Sequence, residues 1–599
     1  MRRAPFLVGL SLLFSGQLNH PVAVAQQRPQ KTASDQTDVI VVGAGIAGLS
    51  AALEAARGGA SVAVIDMWSI FGGHAVMAEG GLCLVDTPLQ RARGIQDSPN
   101  LAYRDFIEWG EDASPEWVRY YVDHSRSDIY DWLTPLGVGF DQIQEVPGNS
   151  VPRFHRTRGR GLALVSPIYR ECVRNPGIRF VWNTRIVSLV RDRERVVGVR
   201  GQDLRTQETR EFHAPAVLLA TGGFQSNLQM VREFWPRDLP FPDGMLAGSG
   251  LNSVGSGHQV ARQAGAALYK MDHQWNYATG LPDPRYPGLR RGLNASNQDS
   301  IWVNSDGKRF VNEHAGVKVT FAALLVQKPP SYWAIFDERG KRTFWVSGSD
   351  WGDFAVIQGR IFDDTKLVRS AGSLDDLATA AGLPAAALEE TVRRYNQLID
   401  SGQDRDFGRF DRAAAAPPRI ESPPFYAVQF FPLTRKSMGG VAIDRGCRVL
   451  DDQGRAIPGL YAAGELTGLA GINGKAGLEG TFLGPSILTG RVAARTILAT
   501  LKQPTTPSGV DPAARPAAPA AAGPSVSGEC LGCHDLDGQI ATPRSGFSHF
   551  EKVHRVVRER KYDCGQCHGI KQPFDAENHR IDRLEQIDNC SFCHVAQER

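Results

Sequence analysis

The stretch DVIVVGAGIAGLSAALEAARGGASVAVIDM, residues 38–67, decides the fold of this 599-residue chain. An apolar, β-branched run leads into the pattern G-x-G-x-x-G, an alanine-rich helical segment follows, and a second apolar run ends at Asp66. The glycines of the pattern are Gly43, Gly45 and Gly48. The complete signature of a dinucleotide-binding unit is a strand, a glycine-rich turn, a helix and a second strand, with an acidic residue about 20 positions after the glycines. The sequence therefore predicts a Rossmann-like α/β domain.

Each residue of this signature has its own physical task. Gly43 permits the tight turn, Gly45 admits a pyrophosphate to the helix N-terminus, and Gly48 lets helix and strand pack closely. Asp66 is suited to accept a hydrogen bond from a ribose hydroxyl. NAD and FAD both satisfy this signature, so motifs further along the chain have to distinguish them.

Length and charge limit the classes of function. The chain is several times longer than a usual domain of about 100–200 residues, so we expect more than one domain. With 67 basic and 64 acidic residues it is nearly neutral. Composition therefore gives no basic footprint for nucleic acid, and we expect no such partner.

Residues 1–25 have the features of an export signal. Two arginines precede the apolar run FLVGLSLLF, and Ala23 and Ala25 have the small-residue spacing of a signal peptidase site. The apolar run is shorter than the roughly 20 residues that span a bilayer, and no later stretch is long enough. We expect cleavage after Ala25 and a periplasmic protein that is not a transmembrane one. The export route stays open.

Three C-x-x-C pairs, each followed by a histidine, lie near the end of the chain. The pairs are Cys530 and Cys533, Cys564 and Cys567, and Cys590 and Cys593, and the histidines are His534, His568 and His594. C-x-x-C-H is the attachment pattern of c-type haem, in which the histidine binds the iron. A zinc ribbon does not need the trailing histidine, and a thioredoxin-type pair is expected in a cytosolic βαβ context. We therefore predict three haem c groups.

Further histidines of residues 529–599 complete the predicted iron ligands. They are His549, His554 and His579, and the same residues contain no methionine. Bis-histidine irons of low potential are therefore predicted, with a surface position of each of these histidines as the alternative. The stretch GFSHFEKVHRVV is similar to the distal-ligand helix of c3- and c7-type cytochromes. We expect a small, haem-packed, mostly irregular or α-helical domain that carries single electrons. Residues 503–528, rich in Pro, Ala, Ser and Gly, are typical of a linker to this domain.

Four motifs of the body resemble one family of flavoproteins. They are FGGHAVMAEGGLCLVDT at 71–87, VLLATGGF at 217–224, YAAGELTG at 461–468 and GLEGTFLGPSILTGRVAAR at 477–495. In this order they resemble the family that includes fumarate reductases, succinate dehydrogenases and 3-ketosteroid dehydrogenases. The resemblance covers nearly all of residues 36–500. It implies FAD as the cofactor, an FAD-binding domain formed by residues 36–270 and 438–502, and an inserted α+β capping domain, residues 271–437.

The resemblance also implies how FAD would be bound. Glu465 would hold the ribityl chain, and the backbone around Gly480 would meet the pyrimidine edge of the flavin. The FAD path would be lined by Thr221, Gly222 and Gly223.

The first of these motifs adds Gly73, His74 and Gly81 to the predicted site. His74 falls where membrane-bound members of the family carry a histidine covalently linked to FAD. A covalent bond and a hydrogen bond between His74 and FAD both stay open.

An FAD body joined to a multihaem tail is the composition of a flavocytochrome c. FAD exchanges two electrons with a hydride, whereas haem passes one electron at a time. Such a protein converts between organic redox chemistry and single-electron transfer. The expected partners are a small organic substrate and a periplasmic or membrane-anchored redox partner, either a cytochrome c or a quinol dehydrogenase.

The residues that would bind fumarate in this family are replaced here. The resemblance would place arginines at Val317 or Lys318 and near Lys475, and histidines at Lys436 and Tyr277. Lysine lacks the planar fork with which arginine binds a carboxylate. The pattern, together with DTPLQRARGIQDS and NSVPRFHRTRGRG, resembles the FAD-binding dehydrogenases related to ketosteroid dehydrogenases. This resemblance implies chemistry on a CH–CH or C=C bond next to a carbonyl, with tyrosines that assist proton transfer. Fumarate or another enoate is the first alternative substrate, and a haem carrier with a non-catalytic flavin domain is an alternative of another class.

The candidates for acid/base catalysis are Tyr277 first, then Lys318 and Lys436. His155, in the stretch PRFHRT, either faces the substrate or is a structural histidine. A run of arginines surrounds it and either steers an anionic substrate or forms a solvated basic loop. The run comprises Arg153, Arg156, Arg158 and Arg160.

Overall fold

The computed structural model describes residues 37–410 and 417–502. The expected signal segment, the linker, and all the C-x-x-C cysteines and histidines of the predicted haem domain lie outside these residues. In the described ranges, no helix is both long and apolar enough to cross a membrane.

The signature at 38–67 folds as the centre of a mostly parallel sheet. In the described part of the chain, this sheet has six strands, in the spatial order Arg448–Leu450, Ala456–Ala462, Ala216–Leu219, Val39–Val42, Val62–Ile65 and Ile178–Val181. Neighbouring strands pair in parallel, except that the first two are antiparallel. The two signature strands are completely buried, as expected when helices and further sheets cover both faces of a parallel sheet. The predicted α/β fold is confirmed.

Helices cover one face of this sheet. The signature helix Ile46–Arg57 packs closely against the long helix Leu483–Leu501. The contact needs a glycine at 490, because a Cβ there would lie only 2.3 Å from the carbonyl oxygen of Ala47. The other helices of this part are Pro88–Ala92, Pro99–Gly110, Pro115–Ser125, Asp131–Leu133, Arg160–Arg174, Leu228–Glu233 and Ser256–Gln263. The first three follow a Thr-Pro or Ser-Pro step whose hydroxyl accepts a hydrogen bond from the first helical turn, which is why they begin there.

Three small sheets accompany the parallel sheet in the residues described. They pair Gly81–Cys83 with Phe154–Thr157 and Phe140–Gln144, Thr184–Asp192 with Arg195–Asp203 and Thr209–His213, and Leu268–Tyr269 with Gly440–Val441.

A second large sheet is built around the strand Phe425–Ser437. The other strands of this sheet are Ile301–Val303, Tyr332–Asp337, Gln274–Pro282, Gly292–Asn297, Phe344–Val346, Val368–Ala371 and Leu246–Ala247. Most of them are antiparallel to their neighbours, and Leu246–Ala247 pairs in parallel with Phe425–Ser437. The helices Val317–Leu325, Phe354–Ile357, Leu374–Ala381 and Ala385–Asp400 belong to the same part of the chain.

The end of the strand Phe425–Ser437 joins the two large sheets. The Ser437 amide donates to a carboxylate oxygen of Glu465 over 2.9 Å, and the Ser437 hydroxyl accepts from the amide of Phe224 over 3.1 Å. Both partners follow strands of the parallel sheet. The second sheet is therefore fixed at the carboxyl edge of the first, where ligands of open α/β sheets bind.

Candidate active site

A cavity of about 590 Å³ lies between the two large sheets. One part is lined by the carboxyl ends of Val39–Val42, Val62–Ile65 and Ala216–Leu219, and another by residues of Gln274–Pro282 and Gly292–Asn297. The same cavity therefore connects the carboxyl edge of the parallel sheet with the second large sheet.

The signature glycines shape the entrance to the helix N-terminus. Gly43 has φ +110°, and a Cβ there would lie 2.3 Å from the carbonyl oxygen of Ala220. A Cβ on Gly48 would lie 1.9 Å from the carbonyl oxygen of Gly43. Gly45 differs, because it lines the cavity and a Cβ there would have no neighbouring atom within 4 Å. The space in front of Gly45 is therefore kept free at the start of the helix, as a pyrophosphate requires.

Asp66 reaches the same part of the cavity. Its carboxylate accepts from the amides of Ala44 and Trp68, over 2.6 and 2.7 Å. Burial raises the pKa of Asp66 to about 6, against the lowering effect of these two hydrogen bonds. A carboxylate has about four acceptor positions, so it can still accept hydrogen bonds from a ribose.

Thr221, Gly222 and Glu465 line the cavity beyond the signature. The Thr221 hydroxyl is buried and has no hydrogen-bond partner among the described residues, so it is available to a bound ligand. Gly223 lies behind the lining, where a Cβ would come within 2.4 Å of a carboxylate oxygen of Glu465. The orphaned hydroxyl, the space at Gly45 and the acceptor at Asp66 all fit FAD.

His74 lies on the lining beside Glu465. Its Nδ1 is 3.1 Å from the Ser249 hydroxyl and 3.6 Å from a carboxylate oxygen of Glu465. Burial lowers the pKa of His74, which favours a neutral ring with one donor and one acceptor nitrogen. Gly73 and Gly81 line the cavity nearby. A covalent bond and a hydrogen bond between His74 and FAD both stay open.

Gly480 connects the last glycine loop to the first flavin motif. It has φ +90° and lines the cavity, and its carbonyl oxygen accepts from the amide of Cys83 over 2.9 Å. A Cβ on Gly480 would lie 2.5 Å from that same amide nitrogen. The loop is thereby held against the strand Gly81–Cys83, and the residue before it, Glu479, points into the cavity lining.

Tyr277, Lys436 and Glu479 form a hydrogen-bonded group on the lining. The Lys436 ammonium donates to the Tyr277 hydroxyl over 2.7 Å, and the Tyr277 hydroxyl donates to a carboxylate oxygen of Glu479 over 2.8 Å. The Lys436 Nζ lies 3.8 Å from the other carboxylate oxygen and 3.5 Å from the centre of the Phe482 ring. The structure thus brings together two predicted catalytic residues and a third that the sequence interpretation missed.

Burial changes the titration of this group. Burial lowers the pKa of Lys436 to about 8; the negative charge of Glu479 opposes the change and the positive charge of Arg435 adds to it. Burial, and then the charge of Glu479, raise the pKa of Tyr277 well above 10. Near neutral pH the tyrosine is therefore a phenol, whereas the lysine titrates close to the physiological range.

Three arginines line the part of the cavity that residues 271–437 form, and each already has protein acceptors on both terminal nitrogens. Arg435 donates to the carbonyl oxygens of Gly248 and Met77 and to the Ser347 hydroxyl, Arg291 to Ser226 and Ser249, and Arg285 to Asp283 and Asp350. A two-pronged clamp for a carboxylate needs at least one terminal guanidinium nitrogen. A guanidinium has five N–H donors, however, so these arginines keep further donors, among them the buried Arg291 Nε, which has no hydrogen-bond partner among the described residues.

Two other catalytic candidates lie elsewhere. Lys318 pairs with Glu111, and its Nζ is 5.2 Å from the centre of the Trp109 ring, outside the cavity lining. Its neighbour Val317 does line the cavity. Successive residues of a helix point in directions about 100° apart, so one position determines which of them faces the cavity. Lys475 is exposed and also lies outside the lining.

His155 is fully buried and does not line the cavity. Its ring nitrogens lie 2.7 Å from the Thr87 hydroxyl and 2.7 Å from the carbonyl oxygen of Arg153. Burial lowers its pKa to about 4. The preceding residue of the same strand, Phe154, does line the cavity, and successive side chains of a strand point to opposite faces. The geometry is that of a structural histidine.

The arginines around His155 do not form one basic surface. Arg153 is fully buried, 2.8 Å from Asp97 and 2.5 Å from Asp105. Arg156 and Arg160 share the Glu79 carboxylate, at 2.7 and 3.5 Å, and Arg160 also donates to the carbonyl oxygens of Val346 and Gly348. Arg158 is exposed, 3.9 Å from Asp141. Neither steering of an anion by the whole run nor a fully solvated loop describes them.

Comparisons with known proteins agree with this geometry. The family model described as FAD binding domain matches residues 38–483. A fumarate reductase (cytochrome) of Shewanella frigidimarina is 34% identical over 467 residues, which cover 77% of this chain and 76% of that protein. A KsdD-like steroid dehydrogenase of Mycobacterium tuberculosis is 33% identical over 542 residues, which cover 76% of this chain and 95% of that protein. The solved open conformation of a flavocytochrome c3 fumarate reductase has a TM-score of 0.65 and 28% identity, with 78% of this chain and 79% of that chain covered.

Proposed function

This chain belongs to the FAD binding domain family and is an FAD-dependent oxidoreductase, and we propose that it acts on a carbon–carbon bond next to a carbonyl group. The hydrogen bond between Lys436 and the Tyr277 hydroxyl carries this proposal, because it lies on the lining of the cavity that also includes Gly45 and Asp66. Oxidation of a CH–CH bond removes a proton and a hydride from neighbouring carbons. A proton-transferring hydroxyl in the same cavity as the FAD site suits this chemistry.

FAD would be held by residues that the structure brings to one cavity. The helix N-terminus at Gly45 would take the pyrophosphate, and Asp66 would accept from a ribose hydroxyl. Thr221 and Glu465 would bind the chain that leads to the flavin ring. Bound FAD supplies the transfer of a hydride. Mass measurement of the denatured protein tests the covalent bond proposed at His74, since only covalently attached FAD stays with the chain.

The protein's own residues would supply the proton half of the reaction. Tyr277 Oη would take the proton from the carbon next to the carbonyl in oxidation, or return it in reduction. The Lys436 ammonium, 2.7 Å from that oxygen, would hold it in position and, in reduction, stabilise the negative charge that develops on it as its proton leaves. Burial of both side chains strengthens this interaction relative to water.

A carbonyl compound without a required carboxylate is the substrate class that the lining favours. The arginines of this part of the cavity are engaged by main-chain carbonyl oxygens, hydroxyls and carboxylates of the protein itself. Fumarate would have to share a guanidinium group with these acceptors, whereas a ketone needs no two-pronged partner. The likeness to a fumarate reductase keeps fumarate and other enoates as substrates to be tested.

We also propose that the flavin exchanges electrons with three haem c groups of residues 529–599 in the periplasm. The three C-x-x-C-H motifs and the export signal at residues 1–25 support this part of the proposal. A flavin that gives or takes electron pairs and haems that carry single electrons would together link the substrate to a periplasmic or membrane-anchored redox partner.

An anaerobic stopped-flow experiment on the purified holoprotein tests the proposal. The dithionite-reduced protein is mixed with fumarate, methacrylate or urocanate, and the oxidised protein with 5α-androstane-3,17-dione, a saturated diketone. The haem bands report electron transfer, and the Tyr277→Phe variant is the matched control. Haem reduction by the diketone, lost in the variant, supports the proposal. Haem oxidation by fumarate with unchanged rate in the variant would overturn it in favour of the fumarate alternative.

A further inference from the structure

The hydroxyl proton of Tyr277 points to Glu479 and not into the cavity. An ammonium group only donates hydrogen bonds and a carboxylate only accepts them. Between Lys436 at 2.7 Å and Glu479 at 2.8 Å, the Tyr277 oxygen therefore accepts from the lysine and donates to the glutamate. A phenol oxygen has two lone pairs, so one remains for a proton that arrives from the cavity.

A free phenolate at this position would be a strong base but scarcely populated near neutral pH. Burial and the negative charge of Glu479 both raise the pKa of Tyr277, and the nearby Arg435 opposes them only in part. If Tyr277 passes its own proton to Glu479 while it accepts another, the phenol stays neutral throughout. The hydrogen bond that disfavours the phenolate is the one through which this exchange can take place.

We infer that Glu479 is the terminal proton acceptor of the reaction and that substrate protons reach it through the Tyr277 hydroxyl. The inference rests on the proposed function. In oxidation, the C–H bond next to the carbonyl breaks and its proton bonds to Tyr277 Oη. The original Oη–H bond breaks, and that proton bonds to a Glu479 carboxylate oxygen. The C–H bond on the neighbouring carbon also breaks, and its hydrogen leaves with the electron pair as a hydride that FAD, the oxidant, would accept. A C=C bond forms between the two carbons.

The exposure of the side chains indicates where protons leave the group of Tyr277, Lys436 and Glu479. The side chain of Glu479 is 34% exposed, whereas that of Lys436 is 15% exposed and Tyr277 is buried. Glu479 is thus the member of the group that is best placed to exchange its proton with water. Lys436 acts as a positioning residue, because its Nζ lies between the Tyr277 oxygen and the far carboxylate oxygen of Glu479, at 2.7 and 3.8 Å.

The glycine loop fixes Glu479 for this role. The amide of Leu478 donates to the Asn473 side chain over 3.2 Å, and the carbonyl oxygen of Gly480 accepts from the amide of Cys83. Both neighbours of Glu479 in the chain are therefore held by the protein. The carboxylate can stay aligned with Tyr277 without depending on a ligand.

The first test measures proton transfer in holoprotein variants with 5α-androstane-3,17-dione as the probe. Glu479→Gln keeps the shape of the side chain and a hydrogen-bond acceptor but removes the carboxylate that can take up a proton. We expect flavin reduction to slow by about 10²–10³-fold with little change in KM. Glu479→Asp should recover part of the rate. Glu111→Gln, which removes a carboxylate outside the lining, is the matched control and should stay within about two-fold. Only the hydroxyl proton exchanges with solvent, so D₂O and deuterium at the α-carbon of the probe should each slow flavin reduction, and the two effects should persist together when both protons move in one step.

The second test does not depend on turnover. Tyrosine labelled with ¹³C at Cζ reports the ionisation of each phenol by NMR, and Tyr277→Phe assigns the signal. Glu479→Gln should lower the pKa of Tyr277 by on the order of one unit, whereas Glu111→Gln should not move it. A Tyr277 titration that is unchanged in Glu479→Gln, or a full rate of flavin reduction in that variant, would overturn the inference. If the probe is not oxidised at all, the proposed function fails for saturated ketones, and the NMR titration still decides between the two outcomes for Glu479.

Discussion

Gly223 and Glu465 approach each other so closely that a Cβ on the glycine would lie 2.4 Å from a carboxylate oxygen of the glutamate. The two residues belong to separate flavin motifs, and Ser437 of the second sheet meets them at the same point. The position of the Glu465 carboxylate beside the cavity therefore depends on the absence of a side chain at residue 223.

Gly223→Ala should consequently weaken FAD binding more than it weakens the fold. The added methyl group displaces the Glu465 carboxylate, and we expect the Kd for FAD to rise about ten-fold, the equivalent of about 1.4 kcal/mol. The ratio of flavin to protein after purification and titration of the apoprotein measure this change. Gly359→Ala is the control, because a Cβ there has no neighbour within 4 Å and the residue is exposed. A normal flavin content in Gly223→Ala would contradict the assigned role of Glu465.

Gly45→Ala and Gly48→Ala should fail in different ways. Gly45 has an extended backbone with φ −73° and ψ 177°, which alanine also adopts, and its Cβ would enter only the cavity. This variant should fold and lose FAD. A Cβ on Gly48 would lie 1.9 Å from a backbone oxygen, so that variant should lose stability itself. Circular dichroism in urea, together with flavin content, separates the two results, and a stable, FAD-free Gly48→Ala would contradict this distinction.

The dinucleotide site was largely predictable because its signals are local. The spacing of Gly43, Gly45, Gly48 and Asp66 is contained in one βαβ unit, and the structure places these residues as the signature requires. FAD was distinguished from NAD only by the resemblance of later motifs to known flavoproteins. The haem sites and the domain bounds stay predictions.

The hydrogen-bonded group of Tyr277, Lys436 and Glu479 was predictable only in part because its contacts are non-local. The hydrogen bond from Tyr277 to Glu479 joins residues 202 positions apart, and the one from Lys436 to Tyr277 joins residues 159 positions apart. Glu479 lies in the motif GLEGTF, for which only a role of the backbone was predicted. Its acidic side chain within a glycine-rich flavin loop was the available signal.

The direction of the side chain separates the other two candidates from the cavity. His155 alternates with Phe154 on one strand, and Lys318 follows Val317 on one helix. In each pair the neighbour lines the cavity and the predicted residue does not. The direction of each side chain is set by sheet and helix packing, which a motif in the sequence does not determine.

Lysine replacements should separate the two candidate lysines. Lys436→Ala removes a buried cation that contacts the Tyr277 hydroxyl, and we expect the rate of flavin reduction to fall by about 10²-fold or more. Lys318→Ala removes an ion pair with partly exposed partners, which is worth about 1 kcal/mol or less, and should change the same rate only slightly. Single-turnover reduction by 5α-androstane-3,17-dione measures both. A larger loss in Lys318→Ala than in Lys436→Ala would show that the helix Val317–Leu325 rearranges to bring Lys318 to the substrate.

The buried histidines should make the flavoprotein body sensitive to acid. Burial lowers the pKa of His155 and of His258 to about 4 from an ordinary value of 6.5. Between these values the unfolded chain binds more protons than the folded one, so stability rises with pH from about 4 to 6.5 and is then level for these groups. Each pKa shift changes the free energy of unfolding by at most about 3 kcal/mol across this window. We therefore expect the free energy of unfolding in urea to fall as the pH is lowered through this window.

Replacement of His155 by glutamine tests the contribution of one of these rings. His155→Gln costs stability at every pH, because the ring contacts to Thr87 and to the Arg153 carbonyl oxygen are altered. It also removes a group that must lose its proton on folding, so the dependence of the unfolding free energy on pH between about 4 and 6.5 should become shallower. The partly exposed His213, which has one carboxylate neighbour, provides the control through His213→Gln, and this variant should leave the slope nearly unchanged. A slope equally steep in His155→Gln would mean that the imidazole of His155 is protonated in the folded protein, bound to Thr87 and Arg153 as a cation.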